Sequence, residues 1–373
     1  MTTTAAPPRA NTHRTSAPLL PRVALLAPAG LSLLVGLDAA LLLLGLPAPL
    51  TSDRLPEVHG VLLVLGFVGT LIALERAVAL GRPAAFASPA LLGLGGLLLV
   101  SPAPLSFGRT ALLLGAAGLV AVYVPLWRRQ RDDAVLIQAL GAVLATGAAA
   151  LWLGGTPVPV LLPWLVGFVV LTICGERVEL ARFTLPSTGP ALLLAVGLVV
   201  ATVASLLWPT VGHVLFGAVV VGLALWLGSH DAARRTIRST GLPRFMAGCM
   251  LAGYAWLVVA GATWLVVGPV REGGAYDVVL HAVFLGFTLS MVMAHAPVIL
   301  PAVLRRPLPY HPVLIAPAVL LHLSLALRLW VGDGLEVAAA WRVGGTLNIV
   351  AVLAFAGCAG WSAATARRVR SSR

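Results

Sequence analysis

Charged residues are scarce in this sequence, and lysine is absent from it. Acidic and basic residues together make up 10% of the 373 residues, whereas an ordinary soluble domain carries about 25%. Hydrophobic residues make up 59%, and the mean hydropathy is +0.99. A water-soluble core cannot bury that much apolar surface, so the sequence predicts that a lipid bilayer is the solvent of this chain.

Cysteine is also rare, and its spacing matches neither a CxxC site nor a c-type haem attachment site. Cys174, Cys249 and Cys358 lie inside apolar runs and form no CxxC pair. The absence of CxxCH excludes covalent attachment of a c-type haem. We expect the three thiols to be small hydrophobic packing residues.

The net charge is +12, and all of the 25 basic residues are arginines. Nearly all of these arginines lie between apolar runs, which is typical of the loops of a membrane protein. We therefore expect membrane lipids as surroundings and no nucleic-acid partner.

Twelve apolar runs of roughly membrane-spanning length predict an all-α, polytopic membrane protein. The first run is too long for a signal-peptide core, so we expect a retained helix. We predict a disordered cytoplasmic tail over 1–18, one transmembrane domain over 19–365 and a basic cytoplasmic tail over 366–373. The predicted spans 1 to 12 are 23–47, 57–80, 86–104, 108–127, 134–154, 158–181, 188–208, 210–230, 245–268, 276–302, 311–331 and 338–362.

The distribution of arginine predicts the orientation. The two tails and the loops after even-numbered spans hold 20 of the 25 arginines. By the positive-inside rule both termini are cytoplasmic, and we expect a multi-pass protein of the cell (inner or plasma) membrane. The remaining five arginines, counted with the outer loops, are Arg54, Arg109, Arg271, Arg328 and Arg342.

Three segments indicate an internal repeat. GFVGTLIALER begins at Gly66, GFVVLTICGER at Gly167 and GFTLSMVMAHA at Gly286, and the first two share six of eleven positions. They fall in spans 2, 6 and 10, which predicts a threefold repeat of four-helix units over 23–127, 134–230 and 245–362. Chance similarity among glycine- and leucine-rich helices is the alternative.

Charged side chains inside a bilayer need partners. We expect the Glu75–Arg76 and Glu176–Arg177 pairs to anchor the inner ends of spans 2 and 6 by ion pairing and by extension of arginine towards the headgroups. A proton path is the alternative for these residues. Asp38 lies inside span 1, and we expect it to be functional or extensively hydrogen-bonded.

Histidines at matching depth predict a metal-ligating pair. His59 and His281 begin spans 2 and 10 on the outer side, so both imidazoles can reach one haem iron. His295 lies 14 residues after His281, about 21 Å deeper along a helix, and cannot share that haem. His213, His295 and His322 are weaker ligand candidates and are more typical of packing residues.

Two segments carry a family resemblance. HGVLLVLGFVGTLIALE at 59–75 and HAVFLGFTLSMVMAHAPVILPAVLRRPL at 281–308 resemble the NnrS family. Those are twelve-helix haem- and copper-containing membrane proteins linked to nitric oxide stress in denitrifying bacteria. They are similar in layout to the large subunit of haem–copper oxidases, whose low-spin haem is held by histidines on helices 2 and 10. The resemblance implies haem b held by His59 and His281.

The sequence departs from the oxidase pattern at the copper site. The oxidase needs a histidine on helix 6 and a histidine pair after it, but 158–181 contains no histidine and no HH dipeptide occurs. Reduction of oxygen or nitric oxide by the oxidase mechanism is therefore not expected. Copper binding has no support from these residues.

The sequence thus predicts an NnrS-like haem-binding membrane protein with a role in electron handling or in the response to nitric oxide. An electron-transfer partner would follow from that role, and whether the chain turns over a substrate is left open. One alternative is a proton-coupled secondary transporter, in which Asp38 and His295 would couple to protons. The other is a membrane scaffold or assembly factor whose helices pack through small residues.

Overall fold

The structure, a computed structural model, describes residues 19–181, 187–304 and 309–371. Within those ranges it is 87% helical and has no β-strand. Twelve of its helices are long and apolar enough to cross a membrane. The prediction of an all-α, polytopic membrane protein is confirmed, while the predicted tail over 1–18 lies outside the described residues.

The observed bounds of the spans differ from the predicted ones by at most four residues, and spans 6 and 12 agree. The last helix continues beyond span 12 to Ser371. Spans 1 to 12 are Ala24–Leu43, Arg54–Leu80, Pro83–Val100, Leu105–Gln130, Asp133–Leu153, Val158–Ala181, Gly189–Leu207, Pro209–His230, Gly241–Val267, Gly273–Pro301, Pro312–Asp333 and Ala338–Ser362.

Local sequence signals set the ends of the spans. Span 2 ends at Gly81, which has φ +72° and donates its N–H group to the Ala77 carbonyl at 3.0 Å. This left-handed conformation is accessible to glycine and typical of a helix C-terminus. Spans 7 and 8 are separated only by Trp208 because Pro209, which lacks an N–H group, begins a new helix there.

Spans 2, 6 and 10 form the centre of the bundle. Their apolar windows are 72%, 78% and 67% buried, against 33–56% for the other nine spans. The other spans surround them, and span 12 returns to pack against span 1. The three central helices are those with the least exposure to lipid and the most partners for polar side chains.

Small residues let the helices approach each other closely. A Cβ atom at Gly217 of span 8 would lie 2.5 Å from the carbonyl oxygen of Gly261 in span 9. A Cβ atom at Gly66 would lie 3.3 Å from the Cα of Gly96. Such contacts replace hydrophobic driving force as the source of helix association in lipid.

Spans 2, 6 and 10 run in the same direction. Their N-terminal ends therefore lie at one end of the bundle and their C-terminal ends at the other. We call the end where spans 2 and 10 begin the His59 face. We call the opposite end, where spans 2 and 6 end, the Arg76 face.

Three stretches of the described chain are π-helical: Leu62–Gly69 in span 2, Ala282–Leu289 in span 10 and Leu327–Asp333 in span 11. Two of them contain a Gly-Phe pair of the sequence repeat, whereas the pair at Gly167 lies in a regular α-helix. π-helical turns are rare and occur frequently at functional sites. The four-span repeat itself stays a prediction.

Candidate functional site

A narrow apolar pocket lies between five spans near the His59 face, and both His59 and His281 line it. Span 1 contributes Leu33 to its wall and span 12 contributes Asn348. The structure therefore brings together the two histidines that the sequence singles out as a pair. Its other lining residues are Leu37, Ala40, Gly60, Leu63, Val64, Phe67, Val68, Leu280, Phe284, Leu285, Thr288, Leu289, Arg328, Gly345, Ile349 and Val352.

The imidazole of His59 is oriented by span 1. Its Nδ1–H group donates to the carbonyl oxygen of Gly36 at 2.9 Å. Gly36 makes this approach possible, because a Cβ atom there would collide with the side chain of Leu63. With the proton on Nδ1, Nε2 keeps its lone pair and is the ligating atom of the ring.

His281 is oriented from its own helix. Its Nδ1 lies 3.1 Å from the carbonyl oxygen of Asp277 and 3.0 Å from the carboxylate Oδ1 of the same residue. A carboxylate behind the imidazole fixes the tautomer and raises the basicity of the free nitrogen. Both histidines therefore have Nδ1 engaged and Nε2 free to bind a metal.

Asp277 is held in turn by Arg328 of span 11. The Arg328 Nε and Nη2 groups each donate to one Asp277 carboxylate oxygen at 2.8 Å, and the Trp341 indole N–H donates at 3.3 Å. The Arg328 side chain is only 9% exposed. Its assignment to an outer loop was wrong, because this buried ion pair holds it inside span 11.

The donors and the lining of the pocket are of the kind that a bis-histidine haem requires, but the cavity is too small to hold one as it stands. The wall is almost entirely apolar, as a ligated macrocycle requires. Arg328 supplies a cation at one side, and the buried Thr288 hydroxyl has no hydrogen-bond partner among the described residues. Gly60 and Gly345 leave two places in the wall without a side chain. The cavity is about 80 Å³ in volume, so a macrocycle enters only if the lining leucine and phenylalanine side chains change rotamer.

All three π-helical stretches contribute to the wall of the pocket. Leu62–Gly69 provides Phe67, Ala282–Leu289 provides Thr288 and Leu327–Asp333 provides Arg328. The widened helical turns thus concentrate around the histidine pair. No hydropathy signal in the sequence marks them.

The predicted Glu75–Arg76 pair is present at the Arg76 face. The Arg76 Nη2 group lies 2.6 Å from a Glu75 carboxylate oxygen and 3.8 Å from one of Glu176. Its Nη1 group lies 3.6 Å from Glu179 and donates to the Gln138 side chain at 3.1 Å. One guanidinium therefore joins the ends of spans 2 and 6.

Arg177 has a different partner from the one predicted. Its Nε and Nη2 groups donate to the two carboxylate oxygens of Asp231 at 2.7 and 3.0 Å. Its Nη1 group donates to the Nε2 atom of His295 at 3.2 Å. The guanidinium is buried instead of reaching the headgroups, because Asp231 neutralises it inside the bundle.

Asp231 lies just beyond span 8. Burial alone would raise the pKa of its carboxyl, but hydrogen bonds and charge from Arg177 outweigh burial and hold that pKa below its usual value. The Ala233 backbone N–H and the Tyr254 hydroxyl also donate to it, at 2.8 and 2.7 Å. The carboxylate is thus a fully engaged anion.

The weaker histidine candidates lie outside the pocket and have hydrogen-bond partners. His213 donates from Nδ1 to the Pro209 carbonyl at 2.8 Å. His322 accepts at Nδ1 from the Trp256 indole N–H at 3.0 Å, and its Nε2 lies 3.4 Å from the Ser290 hydroxyl. These contacts are those of packing residues.

Asp38 is buried in span 1 and only partly hydrogen-bonded. Its Oδ1 accepts from the Leu50 N–H at 3.3 Å, which ties the loop after span 1 to the helix. Its Oδ2 has no partner among the described residues. The described residues thus give Asp38 a single hydrogen bond, and its functional role stays a prediction.

Nine apolar helices around three buried ones, in the part of the chain that the structure describes, define a polytopic α-helical membrane protein. Residues 22–364 match the model of a family described as a domain of unknown function (DUF8744), and the chain belongs to that family. Comparison with curated proteins and with solved structures finds no match.

Proposed function

We propose that this chain is a haem-binding protein of the bacterial inner membrane, with His59 and His281 as the two axial ligands. Its role would be electron handling or a response to nitric oxide, as the resemblance to the NnrS family implies. The carrying observation is that two imidazoles from different spans line one apolar pocket with Nδ1 engaged and Nε2 free.

Two imidazoles alone suit a metal that brings its remaining ligands with it. Among the described residues, no three His, Cys, Asp or Glu side chains are grouped to hold a bare ion. In haem the macrocycle supplies four ligands and the protein supplies the axial ones. Haem therefore suits this pocket better than copper does.

The protein's own residues would set the properties of the site. Gly36 and Asp277 fix the two imidazoles with Nε2 towards the pocket. Arg328 provides positive charge for an acidic substituent at the wall, and Asp277 limits that charge by its ion pair. Bound haem would supply a one-electron couple. With His59 and His281 as its two protein ligands, such a haem would favour electron transfer over gas binding.

The proposal is tested by the dithionite-reduced minus oxidised optical spectrum of the protein purified after expression with ample haem. We expect a sharp low-spin b-type spectrum in the wild type and its loss in His59→Ala and in His281→Ala. The matched control is His213→Ala, which removes a buried histidine with the same Nδ1–carbonyl bond outside the pocket. The control should keep the full spectrum.

A colourless wild type would overturn the haem proposal, as would retention of the low-spin spectrum in both single variants. The transporter alternative would then be the next to test. One observation favours it, since the buried Asp38 Oδ2 lacks a partner among the described residues. Proton-coupled uptake that is abolished by Asp38→Asn would support that alternative.

A further inference from the structure

Three polar helix positions converge near the Arg76 face, away from the histidine pocket. Carboxyl oxygens of Glu75 and Glu176 lie 2.6 and 3.8 Å from the same Arg76 Nη2 atom. His295 lies within electrostatic range of Glu75. The three residues occupy the same offset from Gly-Phe in the three related segments. The ends of spans 2, 6 and 10 thus form one polar cluster.

Among the described residues, negative charge is in excess within this cluster. Three carboxyl groups, those of Glu75, Glu176 and Glu179, surround the single guanidinium of Arg76. The neighbouring Arg177 is already neutralised by Asp231. Carboxylates that crowd one buried guanidinium repel each other, and this repulsion favours the uptake of a proton by one of them.

A second and independent observation comes from Tyr123 of span 4. Its side chain is buried with 1% exposure, and its hydroxyl has no hydrogen-bond partner among the described residues. The hydroxyl lies within electrostatic range of Arg76, Glu176 and Glu75. An unpartnered buried hydroxyl next to carboxyl groups indicates a place for an internal water molecule or an exchangeable proton.

The cluster opens gradually towards the Arg76 face. The exposed fraction of the side chain is 29% for Glu179, 25% for Glu75 and 17% for Glu176. Gln138 connects these groups, since it accepts from Arg76 at 3.1 Å and donates to Glu179 at 3.2 Å. Polar groups therefore continue from the aqueous edge to the buried pair.

We propose that Glu75 and Glu176 form a proton-binding site that exchanges one proton with the aqueous phase at the Arg76 face. The proton comes from water, neutralises one of the two carboxyl groups and returns to water on release. Arg76 stabilises the carboxylate that remains. The other groups facing the pair are Tyr123 of span 4, Gln138 of span 5, Arg177 and Glu179 of span 6 and His295 of span 10.

Infrared difference spectroscopy of the full-length protein during pH steps tests this site. The observable is the C=O stretching band of a protonated carboxyl at neutral pH. We expect Glu75→Gln and Glu176→Gln each to remove one carboxyl equivalent of that band, because the single remaining carboxylate ionises beside Arg76. Glu57→Gln is the matched control, since Glu57 is exposed at the His59 face and pairs with Arg109. It should leave the band unchanged.

A second variant removes another candidate source of such a band without altering the cluster. Asp333 has a buried Oδ2 atom with no hydrogen-bond partner among the described residues. In Asp333→Asn protein, a one-carboxyl band that disappears at high pH and returns on acidification supports the proposal. Absence of any band there, or full retention of the band in both glutamine variants, overturns it.

Discussion

Asp277 and His281 lie one helical turn apart in span 10, and their side chains meet with the carboxylate Oδ1 3.0 Å from Nδ1. The same carboxylate receives two hydrogen bonds from Arg328 of span 11. A histidine, its carboxylate partner and a buried cation thus form a connected series. Such a series sets both the direction and the basicity of the imidazole.

Replacing Asp277 should change the midpoint potential of the proposed haem without removing either of its two proposed ligands. We expect Asp277→Asn to raise the midpoint potential, because an imidazole without a carboxylate partner donates less electron density to the iron. Loss of such a partner typically lowers metal affinity by about 10–100-fold. A redox titration measures the potential, and Asp277→Glu should restore part of the shift. An unchanged potential in Asp277→Asn would contradict this role.

Filling the pocket should block ligand entry while the fold is kept. A Cβ atom at Gly60 meets no atom closer than 3.9 Å, yet Gly60 lines the pocket. We expect Gly60→Leu to abolish the haem spectrum and to leave the melting temperature near that of the wild type. Gly30→Leu is the control, since Gly30 is exposed and has open space around it. Equal haem content in the two variants would argue against this pocket.

The Arg177–Asp231 pair should make stability depend on acid. The pKa of Asp231 is lower in the folded protein than in the unfolded chain, so its stabilising effect is complete above about pH 4 and is lost as the pH falls through the folded value. Removing one partner of a buried pair costs about 3–5 kcal/mol. Asp231→Asn should therefore melt well below the wild type at pH 7.

The comparison across pH isolates the ion pair. The gap in melting temperature between the wild type and Asp231→Asn should narrow as the pH falls below about 4. Asp53→Asn is the control, because Asp53 is exposed, and this variant should melt close to the wild type at every pH. A gap of constant size at all pH values would show that charge is not its cause.

Close packing of spans 8 and 9 should be sensitive to a single methyl group. Gly217→Ala places a Cβ atom 2.5 Å from the Gly261 carbonyl and 2.6 Å from the Leu265 nitrogen. Overpacking of this kind typically costs about 1–3 kcal/mol. Gly228→Ala in the same span meets no atom within 4 Å and should not lower the melting temperature. Similar melting of the two variants would contradict the observed contact.

The arginine distribution predicts cytoplasmic termini. A fluorescent protein fused to the C-terminus should be bright, and alkaline phosphatase fused there should be inactive. Alkaline phosphatase inserted at 154–157, between spans 5 and 6, should be active. The reverse pattern would invert the assigned orientation of both faces.

Hydropathy alone was sufficient to locate the twelve spans, because a bilayer requires an apolar run for every crossing. The depth of His59 and His281 within their spans predicted that they would lie together, and they do line one pocket. The four-residue interval between Asp277 and His281 was also visible in the sequence. That spacing indicates side chains on one helix face and would have identified the carboxylate partner.

Other parts of the site depend on contacts that a single sequence does not display. Arg328 pairs with Asp277 from 51 residues away, and Arg177 pairs with Asp231 from 54 residues away. A charge count therefore assigned Arg328 to a loop, although its buried partner keeps it in the helix. The π-helical stretches were also missed, since averaged hydropathy is insensitive to the width of a helical turn.

The π-helical stretch Leu62–Gly69 separates His59 from Glu75 within one helix. Each residue of an α-helix turns the chain by about 100°, and the wider hydrogen-bonded turns of a π-helix alter the accumulated rotation. The direction in which His59 points, relative to Glu75 at the other end of span 2, therefore depends on the number of residues within this stretch. A one-residue deletion there would keep the span apolar and long enough to cross the membrane. It would nonetheless rotate the imidazole and the carboxylate out of alignment, so that only one of them could face its own site.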